Sequence, residues 1–163
     1  MIEIREAGIN DIPTIHKLAH QIWWPTYKGI ISDEQITFML DKIYAVSSLE
    51  KQLKEGNTFL LLCSNQEAKG FAAFSKTDID KTYKLQKIYL HPDQQGRGTG
   101  RKLIEAVEGA VKKLGADHLI LNVQRDNKAR FFYEKNGYSV IQVLDIPYYD
   151  FVLNDYIMQK ELI

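Results

Sequence analysis

The run Leu90-His91-Pro92-Asp93-Gln94-Gln95-Gly96-Arg97-Gly98-Thr99-Gly100-Arg101 places three glycines in five positions between an apolar segment and a helical one. Upstream, Leu85 to Leu90 reads as a strand that Pro92 ends. Its apolar parity breaks, since Leu85 is odd while Ile88 and Leu90 are even, and a parity break predicts a β-bulge. Downstream, Gly98 to Leu114 reads as an amphipathic helix, with Leu103, Ile104, Val107, Ala110, Val111 and Leu114 in one stripe and Gly115 placed to stop it. Glycine has no Cβ, so its backbone lets a ligand approach closely. A helix N-terminus adds unpaired N–H donors and a partial positive charge. Together they predict a cradle for a phosphate or pyrophosphate, to which Arg97 and Arg101 can add charge. The plainer alternative is a flexible turn before a helix. Two other phosphate motifs fail. A Walker loop needs Gly-Lys-Ser/Thr where this chain has Gly98-Thr99-Gly100-Arg101. A dinucleotide fingerprint needs a third glycine where Arg101 stands, and an early βαβ unit.

The pattern extends outward in both directions. Ile2-Glu3-Ile4-Arg5 alternates as a half-buried strand does. Asn10 or Asp11 can cap a helix that tolerates Pro13 in its first turn and carries Ile12, Ile15, Leu18, Ala19 and Ile22 on one face. Trp23-Trp24-Pro25 is expected to bend or end it. A second helix starts at Ser32 or Asp33, and a third spans Ser48 to Lys54. Thr58 to Ser64 and Gly70 to Ser75 read as a hairpin. His118 to Val123 is a further strand. Asn127 can cap a last helix bearing Ala129, Phe132 and Tyr133, and strands around Tyr138 to Val143 and Tyr156 to Lys160 follow. Helices between some strands and hairpins elsewhere give an α/β or α+β class with a mixed sheet.

Composition narrows the function. The 163 residues suit one domain, residues 1–163, with no linker, low-complexity run or repeat. Lys plus Arg and Asp plus Glu are 21 each, so the formal charge is zero, and no basic footprint points to nucleic acid. A single cysteine, Cys63, excludes an internal disulfide framework and a cysteine-based metal cluster, so no metal site is expected. Neither a signal peptide nor a run of about 20 apolar residues is visible, which by elimination predicts a cytoplasmic protein with no membrane partner.

Gln95-x-x-Gly98-x-Gly100, following a strand that ends in His91-Pro92, resembles the acyl-CoA-binding motif of the Gcn5-related N-acetyltransferases (GNAT), whose pattern is Arg/Gln-x-x-Gly-x-Gly/Ala. Asn127-Lys128-Ala129-Arg130-Phe131-Phe132-Tyr133-Glu134-Lys135-Asn136-Gly137-Tyr138 is similar to that family's other core motif. The two occur in the family's order and span Leu85 to Tyr138, a third of the chain. The resemblance implies a GNAT-like mixed, mostly antiparallel sheet of about seven strands flanked by helices. It implies acetyl-CoA as cosubstrate, lying between two splayed strands around Leu90 and Val123. Backbone groups of Ile88, Tyr89 and Leu90 would pair with the pantetheine arm, and Gln95, Gly96, Arg97, Gly98, Thr99 and Gly100 would hold the pyrophosphate. A freed N–H at the bulge would polarise the thioester carbonyl. A small-molecule amine would attack directly in a ternary complex. Tyr133 matches the proton donor to the leaving thiolate; on spacing alone it reads as a core aromatic. Asn127 would cap its helix and also contact pantetheine, and Lys135 would reach either phosphate or solvent.

The resemblance supplies no general base. An amine near pKa 10.4 arrives protonated, and many relatives carry a carboxylate on one of the splayed strands. Here those stretches read Lys84-Leu85-Gln86-Lys87 and Leu121-Asn122-Val123. A water chain, Asp145, Asp150, Tyr27 or His91 are the alternatives. Acceptor specificity is expected from the first helices and the loop before the last strand. Trp23, Trp24, Tyr27, Phe38, Tyr148 and Tyr149 supply aromatic surface there, most of it for packing. The Trp24-to-Ile30 and Asp155-to-Leu162 stretches look like bacterial polyamine acetyltransferases of this superfamily. Asp33, Glu34, Asp145, Asp150 and Asp155 would attract a polycation. A protein N-terminus as acceptor, a non-catalytic CoA sensor, and a homodimer are left open by the sequence.

Overall fold

The computed structural model describes the whole chain, Met1–Ile163. Seven strands form one sheet: β1 (Ile2–Glu6), β2 (Thr58–Ser64), β3 (Glu67–Lys76), β4 (Thr82–Leu90), β5 (His118–Gln124), β6 (Ser139–Tyr148) and β7 (Phe151–Glu161). Their spatial order is β1-β2-β3-β4-β5-β7-β6. Only β4 and β5 run parallel; the other neighbours are antiparallel. The five α-helices are α1 (Ile12–Tyr27), α2 (Asp33–Tyr44), α3 (Val46–Lys54), α4 (Thr99–Lys113) and α5 (Ala129–Lys135).

Strand alternation divides the core in two. On β2, Phe59 and Leu61 pack with Ile15, Ile22, Ile36 and Leu49 of α1 to α3. The intervening Leu60 and Leu62 pack with Leu103, Ile104, Val107 and Val111 of α4. A sheet of period two must hand alternate residues to opposite layers, so the apolar run Phe59–Leu62 identifies a strand covered on both faces.

Most expected elements stand where their patterns put them, and the differences have physical reasons. Ser32 caps α2, its hydroxyl accepting from Gln35 N–H at 3.1 Å. Asp11 does not bond into α1; its carboxylate reaches back to Gly8 N–H at 2.8 Å and to Arg5. Pro25 sits within the last turn of α1, which ends two residues later at Tyr27. There a missing N–H affects one carbonyl only, while Thr26 Oγ1 donates to Ile22 O at 2.7 Å and Lys28 N–H reaches Trp24 O. β6 and β7 are longer than expected and meet in a hairpin whose turn holds Tyr149 at φ 55°. β6 is an exposed edge strand, so its first half, Ser139 to Val143, is exposed throughout with no alternation, and Pro147 is tolerated at a sheet edge.

The parity break on β4 is a bulge. Ala73 pairs with Lys87 while adjacent Phe74 pairs with Leu85, leaving Gln86 without a partner. The β4–β5 ladder stops at almost the same place, its last pair being Leu85 and Leu121. Beyond it the strands part: β5 stays paired to β7 as far as Gln124, and β4 stays paired to β3 as far as Leu90. The sheet is therefore split at its centre into a V.

Candidate active site

The V opens into a cleft of about 1010 Å³, walled by β4, the glycine loop, the start of α4, β5 and α5, with the end of α1 across its mouth. Ile88, Tyr89, Leu90, Gln95, Gly96, Gly98, Gly100, Asn127 and Tyr133 all line it. Arg97 and Thr99 do not: Arg97 points to solvent, and Thr99 is buried against the sheet. Their backbone N–H groups belong to the unpaired run of the loop.

The loop is built to present donors. Gly96 and Gly98 have φ of 76° and 75°, a left-handed conformation that side chains with a Cβ resist. None of the six consecutive N–H groups from Gly96 to Arg101 donates a hydrogen bond within the protein; the first that does is Lys102, to Gly98 O at 3.3 Å. At Gly100 a Cβ would meet the Phe132 ring at 3.3 Å, so the α4–α5 approach needs a glycine there. Unpaired N–H groups at the start of a fifteen-residue helix are a seat for an anion. Arg101 lines the same end, exposed and paired with Glu105 at 2.8 Å, and Lys135 lies at the rim. Gln95 Nε2 donates to Leu90 O at 3.3 Å and ties the loop to β4.

Across the cleft, Asn127 Oδ1 accepts from Ala129 N–H at 2.9 Å, so the expected cap of α5 is present and the amide nitrogen is left over. Tyr133 is 7% exposed, and its ring meets those of Phe132 and Tyr138 edge-on. Burial pushes its phenol well above the usual value, with the nearby Tyr27 phenol adding to the effect. It stays protonated at any working pH, as a proton donor must.

A second, smaller pocket of about 240 Å³ adjoins the cleft, lined by α1, α2 and the start of β7. Tyr27, Gln86, Lys87, Tyr89 and Asn122 border both cavities. Tyr27 Oη and Tyr89 Oη lie 2.9 Å apart, and Trp23 stacks 4.5 Å from Tyr27. Asp155 forms part of the far wall; it is 8% exposed and accepts from Asn122 Nδ2 at 3.3 Å. Burial raises its pKa, opposed by Asn122, Lys84 and Arg125. Sequence reasoning counted Asp155 only as one acid among five and passed over Lys87 as merely not a carboxylate. The period of β7 and β4 placed both on the face toward α1 to α3, but nothing local said that a cavity lies there.

Of the alternatives for a base, Asp145 and Asp150 are exposed on β6 and in the β6–β7 turn, outside both cavities, and Asp145 is paired with Arg125. His91 lies outside the cleft lining and pairs with Asp93 at 3.1 Å. Tyr27 borders both cavities, but burial raises its phenol, which makes it a poorer base.

Residues 28–146 match the family described as the acetyltransferase (GNAT) domain, most of the chain. The protein is a GNAT acetyltransferase. As such it is an acetyl-CoA-dependent N-acetyltransferase, and the cleft fits that cosubstrate: an anion seat at one end, an unpaired strand edge along one wall and a buried tyrosine in its lining. This GNAT chain is similar to a spermidine N(1)-acetyltransferase of Thermoplasma acidophilum, with 30% identity over 85% of this chain and 89% of the relative. It is 31% identical over 61% of its length to a [ribosomal protein bS18]-alanine N-acetyltransferase of Haemophilus influenzae, 67% of which is covered. The PaiA N-acetyltransferase of Thermoplasma acidophilum, solved in complex with coenzyme A, shares the GNAT fold at a TM-score of 0.82 and 29% identity over 99% of each chain. No helix of this acetyltransferase is long and apolar enough to cross a membrane.

Proposed function

We propose that the enzyme transfers the acetyl group of acetyl-CoA to a primary amine by direct attack in a ternary complex, with Tyr133 protonating the leaving thiolate. The observation that carries this reading is the central V, whose cleft is lined both by Tyr133 and by the edge of β4 that β5 leaves unpaired. Ile88, Tyr89 and Leu90 offer that edge to the pantetheine amides. Gln95 to Gly100 hold the pyrophosphate on their free N–H groups, and the spare amide of Asn127 meets the arm from the other side. The break at Gln86 frees backbone polar groups beside the thioester, where an N–H stabilises the developing oxyanion. Free phenols lie near pKa 10 and free thiols near 8.5; burial raises the Tyr133 phenol above its free value, so it is protonated when the departing thiolate needs a proton.

The acceptor enters the 240 Å³ pocket, whose one carboxylate, Asp155, and whose rings Trp23, Tyr27 and Tyr44 suit a cationic head. The spermidine acetyltransferase among the relatives supports a polyamine. Release of free thiol from acetyl-CoA, followed against polyamines, amino acids and short peptides, tests this. Turnover that needs spermidine or spermine is the expected result. Turnover only with a peptide bearing an N-terminal alanine would replace the polyamine with a protein terminus. Silence throughout, with acetyl-CoA still raising the melting temperature, would overturn the amine reading and leave a CoA-binding protein.

A further inference from the structure

A polyamine or any other aliphatic amine reaches the pocket as an ammonium, and Tyr133, being an acid, cannot take its proton. Lys87 stands where that proton must leave. It follows the Gln86 bulge on β4, at the point where the β4–β5 ladder ends, and it borders both the cleft and the small pocket. Its Nζ makes no hydrogen bond and no ion pair. It lies 5.7 Å from the centre of the Tyr44 ring and 5.8 Å from that of Phe59. A lysine held among rings with no counter-charge and no hydrogen bond is a poor device for stability, because cation–π contact with Tyr44 and Phe59 replaces only part of the hydration its charged form loses. Groups in that situation collect where chemistry is done.

We propose that Lys87 is the general base, its neutral amine taking a proton from the acceptor ammonium. This rests on the amine-acetylation reading above.

The surroundings supply a neutral amine. Burial lowers the Lys87 ammonium to about 8, and the like charge of Lys84 on the same strand pushes the same way. The titratable groups facing it are Tyr27 of α1, Tyr44 of α2 and Tyr89 of β4, all phenols raised by burial and therefore neutral, and Asp155 of β7 across the pocket. β2 and β5 offer only Phe59 and Asn122. Asp155 attracts the acceptor's charge, and Lys87, when neutral, does not repel it.

The step balances. The acceptor ammonium gives one proton to Lys87 Nζ, and the amine lone pair forms the N–C bond to the thioester carbonyl carbon. The C–S bond breaks with its electron pair on sulfur, which takes the Tyr133 proton. The second proton of the new amide nitrogen returns to Tyr133 through solvent. Lys87 releases its proton to bulk water, so one proton is liberated per turnover.

The test is the pH dependence of kcat/KM for the wild-type protein and for Lys87→Met, Lys87→Gln, Lys87→Arg and Asp155→Asn, with intact mass read on each. The wild-type rate is expected to rise with pH through about 8. The Met, Gln and Arg variants should lose about 100-fold or more in kcat and lose that limb, with the KM for acetyl-CoA little changed. Arginine should not rescue, because its guanidinium does not deprotonate. Lys87→Met should melt no lower than wild type near pH 7, which separates a chemical loss from a folding loss. Three results would overturn the proposal: an unchanged rate and limb in Lys87→Met, a limb that disappears only in Asp155→Asn, or an acetyl group found on Lys87, which would make it a nucleophile. A wild type silent with every amine would overturn the acetylation reading itself, whereas an active wild type with an active Lys87→Met overturns the base alone.

Discussion

Tyr133 owes its chemistry to burial. A phenol 7% exposed, raised in pKa and lacking a hydrogen-bond partner inside the protein is an acid waiting for an anion. Replacing it with phenylalanine removes one oxygen and keeps the ring contacts with Phe132 and Tyr138. Tyr133→Phe is expected to lower kcat by about 10²- to 10⁴-fold while leaving acetyl-CoA affinity, read by calorimetry, nearly as it was. A drop in affinity of the same size as the drop in rate would make Tyr133 a binding residue instead. No basic limb from Tyr133 should appear below pH 10, since its folded pKa lies above the ordinary phenol value. The role was suggested by the motif around it. Its burial was not legible, because α5 has only seven residues and three consecutive aromatics, Phe131, Phe132 and Tyr133, compete for the inward face.

At the scale of elements, the glycine loop and the split between β4 and β5 make the site. Gly98 sits at φ 75° as the N-cap of α4. Nothing lies within 4 Å of where its Cβ would be, so alanine there meets strain but no clash. Gly98→Ala is expected to cost about 1 kcal/mol and roughly 2–4 °C in melting temperature. Its clearer mark should be a raised KM for acetyl-CoA at nearly constant kcat, because the seat for the pyrophosphate depends on N–H groups whose directions the loop sets. A changed kcat with unchanged KM would put the loop's influence on the reacting end. The loop, α4 and the bulge were readable because each is a local pattern: glycine spacing, a 3.6-residue stripe, a parity break. The residue at which α1 ends after Pro25 was not readable, because it depends on what the last turn packs against. Here Ile22, Trp23 and Tyr27 are buried and hold the last turn in place.

For the molecule as a whole, the sheet joins two cores, and the amino-terminal layer is anchored by a charge. Asp11 accepts from Gly8 N–H and pairs with Arg5 at 2.8 Å where β1 turns into α1. The hydrogen bond from the Arg5 guanidinium holds its carboxyl below the usual range, with the Gly8 N–H helping. A folded pKa below the unfolded value near 3.9 means the unfolded chain binds more protons in that interval. The stabilisation is therefore full above about pH 4 and is lost as pH falls through the folded pKa. Asp11→Ala should melt a few degrees lower at pH 7, about 2–4 °C, and the gap to wild type should close once pH falls below the folded pKa, which lies below the usual carboxylate range. A gap that persisted there would assign the effect to lost packing.

The sequence by itself determined the mixed α/β class, the helix and strand order, the phosphate-type loop and the two motifs that carry the family, because each depends on neighbours within a dozen residues. It also determined that no carboxylate stands on the facing stretches of β4 and β5. Only the tertiary structure decided that Lys87 of β4, Asp155 of β7 and Tyr27 of α1 line one pocket beside the cleft. Residues 27 to 155 meet there because the β4–β5 ladder ends at Leu85 and the strands diverge. Where a ladder ends depends on the competing pairings with β3 and β7 and on the helices that cover both faces. Those are energies of contact between segments far apart in the chain, and no local pattern contains them.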